Sequence, residues 1–169
     1  MEPILILTTG GTIDKIYFDA RSSYEVGPPH ISRLLTELNL SIVYRVVAVV
    51  RKDSLDLTDE DRRLIYEHAV NSDERMILIT HGTDTMVETG KALQSIPDKT
   101  IVLTGALEPA LFKTSDALFN IGCALAAVQT CPHGVYIAMS GRVFDCRNVR
   151  KNLQTNRFEF LNRQTDREA

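Results

Sequence analysis

The chain has 169 residues, of which 44% are hydrophobic and 24% charged, a composition typical of one globular domain and not of a disordered or fibrous protein. Its net charge is −3, and its basic residues are scattered apart from a small cluster at 142–151, which disfavours nucleic acid and anionic membranes as partners. No apolar stretch approaches the roughly 20 residues needed to span a bilayer, so we expect a small-molecule partner.

The N-terminus and the cysteines indicate the compartment. The first residues, MEPILILTTGG, have no basic segment before a short apolar run, which predicts a first strand and not a signal peptide. Cys123, Cys131 and Cys146 form no C-x-x-C pair, and an odd number cannot complete a disulfide framework. Both observations favour the cytoplasm.

Five apolar runs predict strands that are buried on both faces of a parallel sheet. They occupy residues 4–7, 46–50, 76–80, 100–103 and 135–139. Between them, helical spacing of apolar residues predicts helices that begin near Ile31, Thr58, Met86 and Thr114, the second capped by Thr58. This alternation predicts a single-domain α/β doubly wound fold, with a mostly parallel sheet and flanking helices. The fold is expected over residues 1–161, and the polar residues 162–169 are expected to form a flexible tail.

The fourth predicted helix, at 114–128, is apolar on most sides. Such a helix is expected to pack against both the sheet and a second surface. We expect that surface to belong to another copy of the chain, in a homodimer or homotetramer.

The loops after the strands are the expected ligand site, because doubly wound folds bind ligands at the carboxyl ends of their strands. The sequence TTGGT at 8–12 follows the first strand. Its glycines allow a sharp turn with exposed amide groups, so Thr12 can project into a site beside oxyanion donors. The alternative is an ordinary tight turn or a phosphate cradle, although the spacings of dinucleotide and triphosphate loops are absent.

A second hydroxyl-rich loop, THGTDTM at 80–86, follows the strand at 76–80. Thr83 and Asp84 are ordinary residues for the start of a helix, but a carboxylate there can also hold an ammonium group. The four histidines are far apart and lack metal-ligand spacing, so we expect neither a metal nor a cofactor. His81 is expected to be a structural donor in the turn, and His68 a core residue.

Five motifs together resemble the bacterial-type L-asparaginase family in their order and spacing. They are TTGGTI at 8–13, DSLD at 53–56, THGTDTM at 80–86, TGA at 104–106 and CRNVRKN at 146–152. The resemblance extends over about residues 4–160. It implies an amidohydrolase that releases ammonia from the side-chain amide of asparagine.

The resemblance also implies four catalytic residues. Thr12 matches the family's nucleophile, and Tyr24 matches the tyrosine of a mobile active-site loop. Thr83 and Lys151 match an activating pair. Either Tyr24 or this pair would take the proton of Thr12. Lys151 could serve as a base only when neutral, and the Asp84 carboxylate favours the charged ammonium, so we prefer Lys151 as a charged organiser of Thr83.

Four further residues are implied to bind the substrate. Ser54 matches the serine that holds the α-carboxylate, and Asp53 precedes it in the same motif. Asp84 matches the residue that binds the α-amino group. The backbone carbonyl of Ala106 is implied to face the amide nitrogen.

Three departures from the family pattern affect affinity more than chemistry. Members usually carry a second, smaller domain that contributes to a neighbouring active site, and this chain ends before it, so we expect weak substrate binding. Leu55 stands where many periplasmic members have glutamine, and Glu108 stands where a basic residue is common.

Two other classes of function compete with the asparaginase interpretation. A glutaminase, esterase or peptide asparaginase could use the same hydroxyl groups. A non-catalytic sensor could bind asparagine or aspartate without turnover, but a sensor has no need of a nucleophile together with its activating group.

Overall fold

A computed structural model describes residues 2–18 and 23–161 of the protein. Its strands are β1 Ile4–Gly10, β2 Lys15–Phe18, β3 Ser23–Val26, β4 Tyr44–Lys52, β5 Met76–Thr80, β6 Thr100–Thr104, β7 Gly134–Met139, β8 Arg142–Asp145, β9 Val149–Asn152 and β10 Arg157–Phe160. Its α-helices are α1 Ile31–Glu37, α2 Asp59–Val70, α3 Met86–Ala92 and α4 Ala117–Thr130. The tail expected at 162–169 lies outside the described residues.

Six strands form the central sheet in the order β4-β1-β5-β6-β7-β8. All neighbours are parallel except β7 and β8. This arrangement confirms the predicted α/β class with a mostly parallel sheet. Thr8, Thr80 and Thr104 are aligned across β1, β5 and β6, so these strands end at the same edge of the sheet. The loops that follow them are therefore neighbours.

The sheet is covered by helices on both faces, because successive side chains along each strand point to opposite sides. Leu5, Leu7, Ile77 and Ile79 pack with residues of α2 and α3 on one face. The alternate residues of the same strands pack with α1 and α4 on the other. Thr58 caps α2 as predicted, in a capping box with Asp61.

Several expectations from the sequence were wrong or incomplete. The strand predicted at 46–50 was expected to be buried on both faces, yet β4 lies at the sheet edge and none of its residues is fully buried. His68 is exposed, not in the core. The hairpins β2–β3 and β9–β10 and the strand β8 were not predicted at all.

Across residues 2–18 and 23–161, no helix has the length and apolar character that a bilayer crossing requires.

Candidate active site

The turn after β1 is built on two glycines in the left-handed region, Gly10 at φ 91° and Gly11 at φ 88°. A Cβ atom on Gly11 would lie 2.5 Å from the Cα of Gly82, so only glycine permits this approach. Thr12 then begins a short 3-10 helix, Thr12–Asp14. Ile13 is fully buried in the core, whereas Thr12 is only partly buried. The turn therefore anchors its backbone in the core and leaves Thr12 accessible.

Gly82 is also the contact point for the loop after β4. A Cβ atom on Gly82 would lie 2.6 Å from both the Cβ and the Oγ of Ser54. Thr85 fixes the backbone of Ser54 by donating its hydroxyl to the Ser54 carbonyl at 2.7 Å. The Ser54 hydroxyl itself is buried and has no hydrogen-bond partner in the described part of the chain. Because buried polar groups are nearly always paired, this hydroxyl is suited to receive a polar group of a ligand.

Asp53 supports the Ser54 turn. Its carboxylate forms an ion pair with Lys15 at 2.7 Å and accepts a hydrogen bond from the Leu55 N–H at 3.3 Å. Burial alone would raise the pKa of Asp53, but the hydrogen bonds and charge of these partners outweigh it and hold the pKa below its usual value. The structure thus joins the Ser54 turn to the β2–β3 hairpin through an ionised carboxylate.

The loop after β5 brings Thr83 and Asp84 to Lys151, a residue of β9 that is distant in sequence. The Lys151 ammonium donates to the Thr83 hydroxyl oxygen at 2.9 Å and lies 2.5 Å from an Asp84 carboxylate oxygen. The side chain of Lys151 is 8% exposed and that of Asp84 39%. Asp84 therefore pairs with the lysine while part of its side chain remains accessible to solvent.

His81 has the structural role expected of it. It is fully buried, with Nδ1 2.6 Å from the Gly82 carbonyl and Nε2 2.8 Å from the Thr89 hydroxyl. Because a carbonyl only accepts, Nδ1 carries the proton and Nε2 accepts from Thr89. Burial lowers the pKa of His81 to about 4, which keeps the ring neutral and holds the Gly82 backbone in place.

The loop after β6 contacts the same backbone. A Cβ atom on Gly105 would overlap the carbonyl oxygen of His81, and the next residue, Ala106, is buried. The structure thus gathers Thr12, Ser54, Thr83 and Ala106 around the His81–Gly82 backbone. These are four of the eight residues selected from the sequence, and Asp53, Asp84 and Lys151 support them.

Tyr24 is the exception. It lies on β3 with its ring 51% exposed, and it packs edge-on against Tyr17 and Phe112 at centroid distances of 5.5 and 6.1 Å. Within residues 2–18 and 23–161, no hydrogen bond joins the Tyr24 hydroxyl to Thr12 or Lys151.

Asp14 is a buried carboxylic acid that the sequence analysis missed. One oxygen accepts the His30 N–H at 2.8 Å, and the other has no hydrogen-bond partner among the described residues. Burial raises the pKa of Asp14 from 3.8 to about 6, although the His30 N–H and the Arg51 charge oppose the shift. The feature of the sequence that could have identified Asp14 is its position two residues after Thr12. Asp14 thus joins the turn that carries Thr12 to the segment before α1.

The described residues hold neither a cluster of metal ligands nor a disulfide. No group of three His, Cys, Asp or Glu side chains is placed to hold a metal ion within the described ranges. Cys123, Cys131 and Cys146 are all free thiols.

Comparison with known proteins gives a consistent family match. The family model described as "Asparaginase, N-terminal" matches residues 3–167. A probable periplasmic L-asparaginase from Haemophilus influenzae is 33% identical over 164 residues, which cover 90% of this chain and 47% of that protein. The chain thus spans about half the length of this relative.

Two further matches extend the comparison. One component of a glutamyl-tRNA(Gln) amidotransferase from Thermococcus kodakarensis is 30% identical over 158 residues, which cover 86% of this chain and 35% of that protein. The solved structure of a thermostable L-asparaginase from Thermococcus kodakarensis superposes with a TM-score of 0.82 at 26% identity. That superposition covers 94% of this chain and 51% of the solved chain.

Proposed function

Since the chain belongs to the asparaginase family, we propose that it hydrolyses the side-chain amide of L-asparagine to give L-aspartate and ammonia. The observation that carries this proposal is the meeting of Thr12, Ser54 and Thr83 at the His81–Gly82 backbone, with Lys151 bonded to Thr83. Hydrolysis of an amino-acid amide requires an accessible hydroxyl as nucleophile, a hydroxyl that can bind the substrate, and a charged donor. This group of side chains provides all three.

Ser54 and Asp84 hold the backbone end of the substrate in this proposal. The unpaired Ser54 hydroxyl donates to the α-carboxylate, and the exposed part of the Asp84 carboxylate binds the α-ammonium group. Asp53 contributes indirectly, because its pairing with Lys15 fixes the turn that carries Ser54. Holding this end of the molecule places the side-chain amide beside Thr12.

The chemistry begins when the Thr12 oxygen attacks the amide carbon and the Thr12 proton passes to an acceptor. The tetrahedral oxyanion accepts a hydrogen bond from the Thr12 N–H, since the Gly11 N–H of the same turn already donates to the Lys52 carbonyl at 2.9 Å. The C–N bond then breaks, the nitrogen takes up that proton and leaves as ammonia, and the aspartyl group remains as an ester on Thr12. Water hydrolyses the ester, which releases aspartate and restores the hydroxyl.

Two groups compete as the proton acceptor for Thr12. In the first arrangement Lys151 is neutral when it reacts: the Thr12 proton passes to the Thr83 hydroxyl oxygen, Thr83 gives its own proton to the lysine nitrogen, and Asp84 stabilises the ammonium group that forms. In the second, the phenolate oxygen of Tyr24 receives it. The first is favoured because the hydrogen bond to Thr83 already exists. Comparing kcat for Tyr24→Phe and Thr83→Val distinguishes them, since the larger loss marks the acceptor.

Ammonia release from asparagine and glutamine over a wide concentration range tests the proposal. We expect asparagine to have the higher kcat/KM, because an additional methylene in glutamine displaces the amide from Thr12. Thr12→Ala is the matched control for contaminating activity. Calorimetric binding of asparagine without ammonia release would contradict the proposal and favour a sensor. Equal specificity constants would instead indicate a broader amidase.

We further propose that the protein is a homodimer or homotetramer. The observation behind this is that α4 exposes Leu118 and Phe119 by 48% and 60%, and the chain segment that precedes α4 also exposes Leu111 and Phe112. Light scattering at micromolar concentration should give at least the dimer mass, and Phe119→Glu should shift it toward the monomer. Val43→Glu, an exposed residue next to the edge strand β4, is the control. A monomeric wild-type protein would refute this assignment.

The proposed compartment is the cytoplasm. The three free thiols, one of them buried, fit a reducing environment. Fractionation of cells that express the native chain should recover it in the cytosolic fraction, and recovery outside the cytoplasm would contradict the assignment.

A further inference from the structure

Asn120 lies in the first turns of α4, and its side-chain amide is fully buried. The amide makes three hydrogen bonds, one to the residue before α4 and two to loops outside the helix. Its Nδ2 donates to the Gly105 carbonyl at 3.0 Å and to an Asp116 carboxylate oxygen at 2.8 Å. Its Oδ1 accepts the Ser140 N–H at 3.0 Å. One side chain therefore joins the start of α4 to the loop after β6 and to the turn between β7 and β8.

Asp116 directly precedes α4, where an aspartate ordinarily caps the helix. Here its side chain caps nothing in its own helix. Its carboxylate instead accepts the Leu107 N–H at 2.9 Å and the Glu108 N–H at 3.1 Å. The residue is thus used to hold the loop after β6.

These bonds fix both peptide units that flank Ala106. The Gly105 carbonyl, held by Asn120, shares a plane with the Ala106 N–H. The Leu107 N–H, held by the Asp116 carboxylate, shares a plane with the Ala106 carbonyl. Because the peptide is planar and trans, directing the Leu107 N–H toward Asp116 directs the Ala106 carbonyl the opposite way.

We propose that Asp116 and Asn120 are positioning residues that aim the Ala106 carbonyl at the leaving group and so set a preference for amides over esters. This inference rests on the proposed function. A carbonyl oxygen accepts a hydrogen bond from the NH₂ of an amide. The alkoxy oxygen of an ester has only lone pairs, so it gains nothing from the same carbonyl and is repelled by it.

The matched substrates are L-asparagine and the β-methyl ester of L-aspartate. Both form the same aspartyl ester on Thr12, with loss of ammonia from the amide or of methanol from the ester. In each case the leaving group takes the proton that Thr12 gives up. Hydrolysis of the common intermediate is identical, so the two substrates differ only in the steps up to its formation, and the ratio of their kcat/KM values compares those steps.

The test compares this ratio in the wild type and two variants. Asn120→Asp keeps the size of the side chain but replaces the donor nitrogen by an oxygen, and Asp116→Ala removes the acceptor from a partly exposed site. We expect kcat/KM for asparagine to fall by about 10- to 100-fold, and that for the ester by less than about threefold. Val128→Ala, a buried truncation two turns further along α4, controls for loss of stability and should leave the ratio unchanged.

Each outcome decides the matter. Parallel losses on amide and ester in both variants would show that the pair is only structural and would overturn the inference alone. A wild-type protein that releases no ammonia from asparagine would overturn the proposed function together with the inference. If Asn120→Asp does not fold, Asp116→Ala still decides, because this residue lies outside the buried core.

Discussion

Replacing Lys151 by methionine removes the ammonium group that joins Thr83 to Asp84, while it preserves most of the buried stem. If the Thr83–Lys151 pair activates Thr12, its loss removes acid–base assistance of roughly 10²- to 10⁴-fold in kcat, or about 3–5 kcal/mol on the barrier. Thr83→Val breaks the same 2.9 Å hydrogen bond from the other side. The double variant should therefore be little slower than either single variant.

The change in stability should be much smaller. The ion pair involves an Asp84 side chain that is 39% exposed, so solvent screening limits its contribution to about 0–1 kcal/mol. The lost hydrogen bond from a charged donor adds about 1.5–3 kcal/mol at most. A folded domain of ordinary stability, about 5–15 kcal/mol, should tolerate this. Urea unfolding can therefore separate a catalytic loss from a loss of folded protein.

The assay is steady-state ammonia release by the two single variants and the double variant. Arg150→Met is the matched control, because its neighbouring side chain on β9 is 63% exposed and pairs with Glu159, away from Thr83. It should retain wild-type kcat. Losses at Thr83 and Lys151 that add fully in the double variant would refute the reasoning, since independent groups cannot form one activating unit.

Three further predictions follow from the site. Thr12→Ala should abolish turnover while calorimetry still detects asparagine, because Ser54 and Asp84 hold the other end of the substrate; residual wild-type turnover would exclude Thr12 as the nucleophile. Asp84→Asn should mainly raise KM, with a smaller fall in kcat because Asp84 also pairs with Lys151, so an unchanged KM would remove its binding role. Burial raises the pKa of Asp14 from 3.8 to about 6, so its contribution to stability is complete below pH 3.8 and is lost as pH rises through 6. Asp14→Asn should reduce this pH-dependent fall in the free energy of unfolding by up to about 3 kcal/mol, as measured by urea unfolding. Parallel pH profiles of the unfolding free energy for the two proteins would contradict the assignment.

Local sequence patterns were sufficient for the five parallel strands of the sheet and the four α-helices, because run length, alternation and caps are properties of neighbouring residues. The runs at 76–80 and 100–103 became central strands, and Thr58 caps α2. The run at 46–50 was equally apolar but became the edge strand β4. Edge position depends on which strand pairs with which, and that information is absent from any one segment.

The sequence by itself determined the α/β class and the loops that carry Thr12, Ser54 and Thr83, since glycines and hydroxyls directly follow apolar strands. Only the tertiary structure decided how these loops meet. Lys151 reaches Thr83 across 68 positions because β9 packs against α3, the helix that follows the Thr83 loop. Asp116 has the sequence position of a helix cap but holds the Leu107 N–H instead. Such contacts depend on the close approach of backbones that are distant in sequence, which local propensity does not encode.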